Sequence, residues 1–101
     1  MSYVAVAEVR VKPEHMDAAC AAVLGIVPQT RAEPGCETFL IHRAADGSPR
    51  LFLYERWRDA AAFETHHAQE YTRAVYRRYE TWLAEPPIIT FLDDLADQEP
   101  A

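Results

Sequence analysis

The chain has 101 residues, of which 50% are hydrophobic and 26% charged, a balance that predicts one soluble globular domain and excludes a disordered tail or a membrane span. Sixteen Asp and Glu against ten Lys and Arg give a formal charge of −6. This sign repels phosphate backbones and anionic lipids, so we expect neither nucleic acid nor a membrane as partner. The two cysteines lack the CxxC spacing of a zinc or redox site, and the first residues show no export signal, so we expect a cytoplasmic protein.

Proline and glycine mark the boundaries of the predicted elements in the first third of the chain. Residues 3–11 are rich in Val and end before Lys12-Pro13, which predicts a strand. From Glu14 onward apolar residues recur every three or four positions, as in an amphipathic helix. Pro28 should kink its last turn before Pro34-Gly35 ends it.

Residues 36–43 and 50–57 are β-rich segments joined by Asp46-Gly47, which predicts an antiparallel hairpin. Side chains alternate between the two faces of a strand, and apolar residues fall on both faces here. Four of them are interpreted as sheet packing and dimer core: Phe39, Ile41, Phe52 and Tyr54.

The last part of the chain predicts a helical region and a final strand. Asp59 can cap a helix that extends to Glu85, with a break expected between residues 66 and 71. Pro86-Pro87 ends this region. Residues 88–92 form the last predicted strand, residues 1–95 a single domain, and residues 96–101 an acidic tail.

The predicted order is β-α-β-β-α-β. It is typical of a ferredoxin-like α+β fold, in which a four-stranded antiparallel sheet carries both helices on one face. The other face would expose several hundred Å² of apolar surface, more than a soluble monomer usually tolerates. We therefore expect a homodimer with the two sheets face to face.

Four motifs in this order resemble the antibiotic biosynthesis monooxygenase family of the dimeric α+β barrel superfamily. They are Val11-Lys12-Pro13-Glu14, Thr30-Arg31-Ala32-Glu33-Pro34-Gly35-Cys36, Glu55-Arg56-Trp57-Arg58-Asp59 followed by Ala62, Phe63 and His66, and Glu85-Pro86-Pro87. The resemblance implies small homodimers with a pocket between sheet and helices. It also implies, for the best-known quinol monooxygenase-like branches, oxidation of quinols or polyphenols by O2 without metal or flavin, so no cofactor is expected.

Two departures from relatives of this family bear on the chemistry. The haem-degrading branch resembles this chain but carries an asparagine on the first strand and an iron-binding histidine on the last helix. The matching stretches here are Ala7-Glu8 and Tyr76, which counts against haem. Many relatives also carry a second histidine four residues after the position of His66, where this chain has Glu70.

His66 is the first candidate for a catalytic base, because imidazole titrates near neutral pH and can accept a phenolic proton. The alternative is a structural histidine at a helix terminus that hydrogen-bonds backbone. Glu70 follows His66 by four residues, so on an unbroken helix the carboxylate could orient the ring, and a break would remove this coupling. This pair is also the only close pair of metal ligands, too few to predict a metal site.

Glu55 and Trp57 lie two apart on a predicted strand and therefore share a face. Both are candidate catalytic residues, with Trp57 as the wall that stacks on an aromatic substrate. Trp57 is equally well interpreted as core. A carboxylate here is costly to bury unless it is paired, and Arg10, Arg43 or a backbone donor could pair it structurally.

Other candidates for substrate binding are Tyr71, Tyr76, His42 and Glu70. Tyr71 is also compatible with a core position, and a lone strand histidine such as His42 is usually structural. His67 is predicted to be solvated, since it points about 100° around the helix from His66.

The predicted function is a cofactor-independent monooxygenase that oxidises a quinol or polyphenolic aromatic with O2 to a quinone. Deprotonation of the substrate by His66 would make it electron-rich enough to react with O2. The alternatives are an isomerase in the same pocket, or a stress-related dimer that binds a small aromatic ligand without turnover.

Overall fold

The computed structural model describes residues 2–96. The elements are β1 (Tyr3–Arg10), a 3-10 turn (Pro13–His15), α1 (Met16–Gly25), α2 (Val27–Arg31), β2 (Cys36–Arg43), β3 (Arg50–Trp57), α3 (Ala60–Ala68), α4 (Glu70–Trp82) and β4 (Ile88–Leu92). Most of the predicted acidic tail, residues 97–101, lies outside the described residues. Within residues 2–96 no helix has the length and apolar character needed to cross a membrane.

The four strands form one antiparallel sheet in the order β2-β3-β1-β4. The hairpin turns at Gly47, whose positive φ of 82° is a conformation that favours glycine. Strand β3 alternates between buried and half-buried residues along its whole length, which shows that helices cover one face only. The ferredoxin-like α+β prediction is confirmed.

The first predicted helix is divided rather than kinked. Helix α1 ends at Gly25, and Pro28 lies in the first turn of α2. Pro28 has no N–H to donate to the carbonyl four residues earlier, so a continuous helix would lose a hydrogen bond and clash there. In the first turn of a new helix that N–H needs no partner, which is why the break precedes the proline.

The second helical region breaks at Gln69, as predicted, and ends at Trp82 rather than Glu85. Asp59 caps its start by accepting a hydrogen bond from the Ala62 N–H at 2.8 Å. Gln69 adopts an extended conformation, with ψ of 140°. This break lets α4 leave α3 at a new angle, so positions four apart across it no longer share a face.

Strand register determines which residues face the helices. Glu55 on β3 lies opposite Ala5 on β1 and Phe39 on β2, and all three point toward the helices. The assignment of Phe39 to the dimer core was wrong: Phe39 is buried under α3, where its ring meets His66. Ile41 shares that face with it, whereas Phe52 and Tyr54 lie on the opposite, outer face.

Gly35 brings the start of β2 against α3. A Cβ at this position would lie 2.3 Å from the Ala62 Cβ, far inside van der Waals contact, so only glycine permits this approach. The contact matters because Glu33 lies two residues before Gly35 and His66 lies four residues after Ala62. These two side chains meet in the interior.

We predict that Gly35→Ala lowers the free energy of unfolding by about 1 to 3 kcal/mol, because the added methyl must push α3 away from β2. Urea unfolding measures this directly. Gly25→Ala is the matched control, since a Cβ there meets nothing within 4 Å, and it should be neutral or stabilising by up to about 1 kcal/mol. Equal effects of the two substitutions would contradict the close packing.

Candidate active site

A small cavity lies between the helix-facing side of the sheet and helices α3 and α4. It offers only about 20 Å³ of space for the centres of water molecules, enough for roughly one water. Its apolar wall includes Ala7, Val9, Val23, Ile26, Phe39, Leu53 and Val75, and its polar wall consists of Glu55, His66, His67, Thr72, Tyr76 and Tyr79. A cavity this small with so many titratable groups is unusual for a hydrophobic core.

His66 forms a buried pair with Glu33. The imidazole Nδ1 lies 2.8 Å from Glu33 Oε2, and the two side chains are 4% and 8% exposed. Tyr71 also donates its hydroxyl proton to Glu33 Oε2, at 2.5 Å. Burial lowers the pKa of His66 below its ordinary value, although the nearby Glu33 carboxylate acts in the opposite direction. His66 is therefore a neutral imidazole at pH 7.

Trp57 connects His66 to Glu55. The Trp57 ring stacks on His66 with ring centroids 4.8 Å apart, and its Nε1–H donates to Glu55 Oε1 at 3.0 Å. Trp57 is a core residue, as one of the two sequence interpretations predicts, since its side chain is fully buried. It does not line the cavity, so its predicted stacking on an aromatic substrate stays a prediction.

Glu55 has no cationic partner among the described residues. Arg10 pairs instead with Glu8 and Glu85 on the outer side. Among the described residues neither Arg43 nor a backbone donor bonds to the Glu55 side chain, so none of the three predicted partners holds it, and the indole N–H of Trp57 does. Burial raises the pKa of Glu55 to about 7. The carboxyl is therefore partly protonated at neutral pH.

His67 is a site residue that the sequence assigned to solvent. Its ring packs on Phe63 and Tyr76, with centroids 4.4 Å and 5.5 Å away, and it lines the cavity beside His66. Burial lowers the pKa of His67 to about 4, so its imidazole is neutral. The angle of about 100° from His66 around α3 correctly gives the direction of the His67 side chain. The break at Gln69, however, places α4 on that side, and α4 covers the His67 ring.

The tyrosine candidates occupy different places. Tyr76 lines the cavity, and burial raises its pKa to about 12. Tyr71 stands behind Glu33 and contacts that carboxylate, so it supports the pair and does not face the cavity. The pKa of Tyr71 is raised by burial and by this hydrogen bond.

Two predicted binding residues lie away from the site. Glu70 is exposed and pairs with Arg77 at 2.6 Å, because the extended Gln69 separates it from the helix that carries His66. His42 is exposed on the outer face of the sheet, opposite Phe52. The structure therefore contradicts the His66–Glu70 coupling and places His42 on the wrong side of the sheet.

Glu33 and Thr72 were missed by the site prediction. Glu33 stands 33 residues before His66, and no local pattern links the two. The available signal was a carboxylate directly before Pro34-Gly35 in a motif already noted. Among residues 2–96 no three His, Cys, Asp or Glu side chains are placed to hold a metal ion.

A second, larger depression runs along the outside of α4. This groove has a volume of about 680 Å³ and lies between α4 and residues 83–87. Tyr76 and Tyr79 line both the groove and the inner cavity. These two side chains are thus the partition between the surface and the polar cluster.

Comparison with known proteins assigns the family. The sequence model of antibiotic biosynthesis monooxygenases matches residues 2–78, a range that contains Glu33, Glu55, Trp57 and His66. The chain belongs to the antibiotic biosynthesis monooxygenase family. It is 29% identical over 84 residues to a Mycobacterium tuberculosis protein named "Putative monooxygenase Rv0793", covering 83% of this chain and 82% of the relative.

Solved structures of antibiotic biosynthesis monooxygenases and similar proteins share the whole fold. The structure of Rv0793 superposes with a TM-score of 0.90 at 25% identity, over 98% of this chain and all of that one. PA3566 of Pseudomonas aeruginosa gives 0.88 at 29% identity, covering 94% and 95% of the two chains. A Nitrosomonas europaea protein described as a putative antibiotic biosynthesis monooxygenase gives 0.88 at 26%, covering 93% and 90%.

We predict that Glu33→Gln lowers the pKa of His66 by roughly 1 pH unit, because it removes the negative charge that favours the imidazolium. A titration of the imidazole C–H resonances by NMR measures this pKa. Glu37→Gln, which changes an exposed carboxylate bonded to Ser2, is the control and should leave it unchanged. A His66 pKa that rises or stays constant in Glu33→Gln would show that Glu33 carries no charge.

Proposed function

We propose that this protein is a monooxygenase that oxidises an electron-rich phenol or quinol with O2, without a cofactor, to a quinone. The observation that carries the proposal is the buried Glu33–His66 pair, in which Glu33 holds His66 at the wall of a cavity that Glu55 and Tyr76 also line. The relatives named as monooxygenases support the same reaction class.

The Glu33 carboxylate orients His66 as a base. An ionised carboxylate only accepts hydrogen bonds, so Nδ1 carries the proton of the neutral ring. The lone pair is then on Nε2, which has no hydrogen-bond partner among the described residues. In this arrangement Nε2 accepts the phenolic proton, while Glu33 stabilises the imidazolium that forms.

Deprotonation starts the redox chemistry. The phenolate gives one electron to O2, and the resulting radicals combine at a ring carbon that bears hydrogen, to form a peroxide anion. This anion takes the phenolic proton back from the His66 imidazolium and becomes a hydroperoxide, so His66 is again a free base. Loss of that carbon-bound proton and cleavage of the O–O bond leave a carbonyl. One oxygen atom enters the product and the other leaves as water, with four electrons supplied by the O–H and C–H bonds of the substrate. The apolar wall keeps the radical pair out of water.

The substrate reaches the polar cluster of the cavity from the groove outside α4, past the side chains of that helix. A bicyclic aromatic does not fit in a cavity with room for about one water, whereas the groove outside α4 accommodates one. Rotation of the Tyr76 side chain would join the two spaces. Tyr76 then stacks against the bound ring, beside the neutral His67.

We also propose a homodimer through the outer face of the sheet. This face carries Val6, Phe52 and Tyr54 at its centre, and Leu40, Ile88 and Leu92 at positions that are more than two-fifths exposed. A contiguous apolar surface of this kind is usually covered in a soluble protein.

We expect His66→Ala to reduce quinol-dependent O2 uptake at least about 100-fold, because the base is lost. Purified, chelator-treated protein is assayed against reduced quinols and polyhydroxylated naphthalenes, with spontaneous autoxidation subtracted. His15→Ala, a change at a residue that stacks on Trp82 at the C-terminal end of α4 and does not line the cavity, should retain the wild-type rate.

Full activity of His66→Ala would remove His66 from the mechanism. Conversion of substrate that continues without O2 would identify proton-transfer catalysis, such as isomerisation. Saturable binding of the aromatic without turnover would identify a binding protein. The first result would overturn the role of His66 alone, the other two would overturn the monooxygenase proposal, and all three leave the fold unchanged.

Leu40→Glu is predicted to convert the dimer to a monomer in sedimentation velocity, because it places a charge on the outer face. Leu24→Glu is the matched control, since Leu24 is 57% exposed on α1, away from that face. A wild-type protein that sediments as a monomer at every concentration would contradict the dimer proposal.

A further inference from the structure

We infer that Glu55 is the proton donor to the oxygen that leaves when the peroxide O–O bond breaks. The inference rests on the proposed monooxygenase function and assigns a second reacting group to the same cavity. His66 and Glu55 would act as a base and an acid on opposite sides of the bound peroxide.

The reaction requires two proton-transfer groups at its last step. The carbon-bound proton must go to a base, here His66 Nε2, as its electron pair forms the carbonyl and the O–O bond breaks. The distal oxygen leaves as hydroxide unless it receives a proton in the same step, and hydroxide is a poor leaving group. Glu55 gives that proton, so water leaves. The imidazolium then returns its proton to the Glu55 carboxylate, and both groups recover their starting states.

The position of Glu55 meets this requirement. It lines the same cavity as His66, and one of its oxygens is held by the indole N–H of Trp57 at 3.0 Å. The other oxygen has no hydrogen-bond partner among residues 2–96. Since Trp57 also stacks on His66, a single rigid ring sets the separation of the acid and the base.

The surroundings of Glu55 favour a protonated carboxyl. The titratable groups that face it are His66 and His67 from α3, Tyr76 and Tyr79 from α4, Cys36 from β2 and Glu33 from the preceding loop. No Lys or Arg lines the cavity within the described part of the chain. A buried carboxyl with no cation and a nearby second carboxylate retains its proton to higher pH.

Glu55 is a better donor than the phenols beside it. Its pKa, raised by burial to about 7, lies near the working pH, whereas burial raises the pKa of Tyr76 to about 12. General acid catalysis is most efficient when the acid has a pKa close to the ambient pH. The neutral His67, with a pKa lowered to about 4, has no acidic proton to give at pH 7.

Activity should fall at both low and high pH, because one group must be neutral and the other protonated. Activity requires neutral His66, so it falls as pH drops through the lowered pKa of that residue. It also requires protonated Glu55, so it falls as pH rises through about 7. The profile of kcat/KM is therefore a bell whose alkaline limb belongs to Glu55.

The test compares Glu55→Gln with wild type, using dihydroxynaphthalene and isotope-labelled O2. Gln retains an oxygen that accepts from Trp57 but has no acidic proton. We expect labelled quinone formation to fall about 100-fold, KM to change less than twofold, peroxide to be released, and the alkaline limb near pH 7 to disappear. Glu55→Asp should recover part of the quinone yield. Glu64→Gln, which changes an exposed carboxylate on α3, should match wild type throughout.

Wild-type yield and an unchanged alkaline limb in Glu55→Gln would overturn the inference. If wild type oxidises none of the substrates, infrared difference spectra of wild type minus Glu55→Gln decide the matter without turnover. A protonated-carboxyl band that titrates near pH 7 supports the acid role of Glu55 and shows that only the proposed reaction is wrong. A Glu55 carboxylate that is already ionised at pH 5.5 would overturn the inference. Should Glu55→Gln not fold, Glu55→Leu, which also lacks the carboxyl, serves as the reference for the same difference spectrum.

Discussion

The contact between the Glu33 carboxylate and the His66 imidazole is the constraint on which the rest of the site depends. Removing both groups from water is costly, and the cost is offset only because Nδ1 and the Tyr71 hydroxyl both donate to the same oxygen. The other Glu33 oxygen is buried with no hydrogen-bond partner among the described residues. A polar cluster that is expensive to bury is more readily explained by chemistry than by stability.

Backbone features at both ends hold this contact in place. Gly35 allows the chain after Glu33 to lie directly against Ala62, one turn before His66 on α3. The extended Gln69 ends α3 soon after His66 and turns α4 so that its side chains close the cavity. Trp57, fixed on the central strand β3, then supplies one rigid surface against His66. Sheet and helices therefore form the cavity walls and the loop supplies the carboxylate that holds His66, so no single segment contains the site.

The elements were predictable because proline and glycine mark their boundaries locally, and the break before α4 falls within residues 66–71, where it was expected. His66, Glu55 and Trp57 were also predicted, His66 because imidazole titrates near neutral pH, and Glu55 with Trp57 because strand alternation places both on one face. Their partners were not predictable in this way. The Glu33 contact depends on the meeting of two distant segments, and the burial of His67 depends on the angle of α4 after the break.

The protonation of His66 tests the central claim most directly. Nitrogen NMR of the labelled protein distinguishes the two ring nitrogens and reports which one carries the proton at pH 7. We predict a neutral ring with the proton on Nδ1, held by Glu33, and a lone pair on Nε2. A ring protonated on Nε2 alone, or on both nitrogens, would leave no base facing the cavity and would contradict the proposed chemistry.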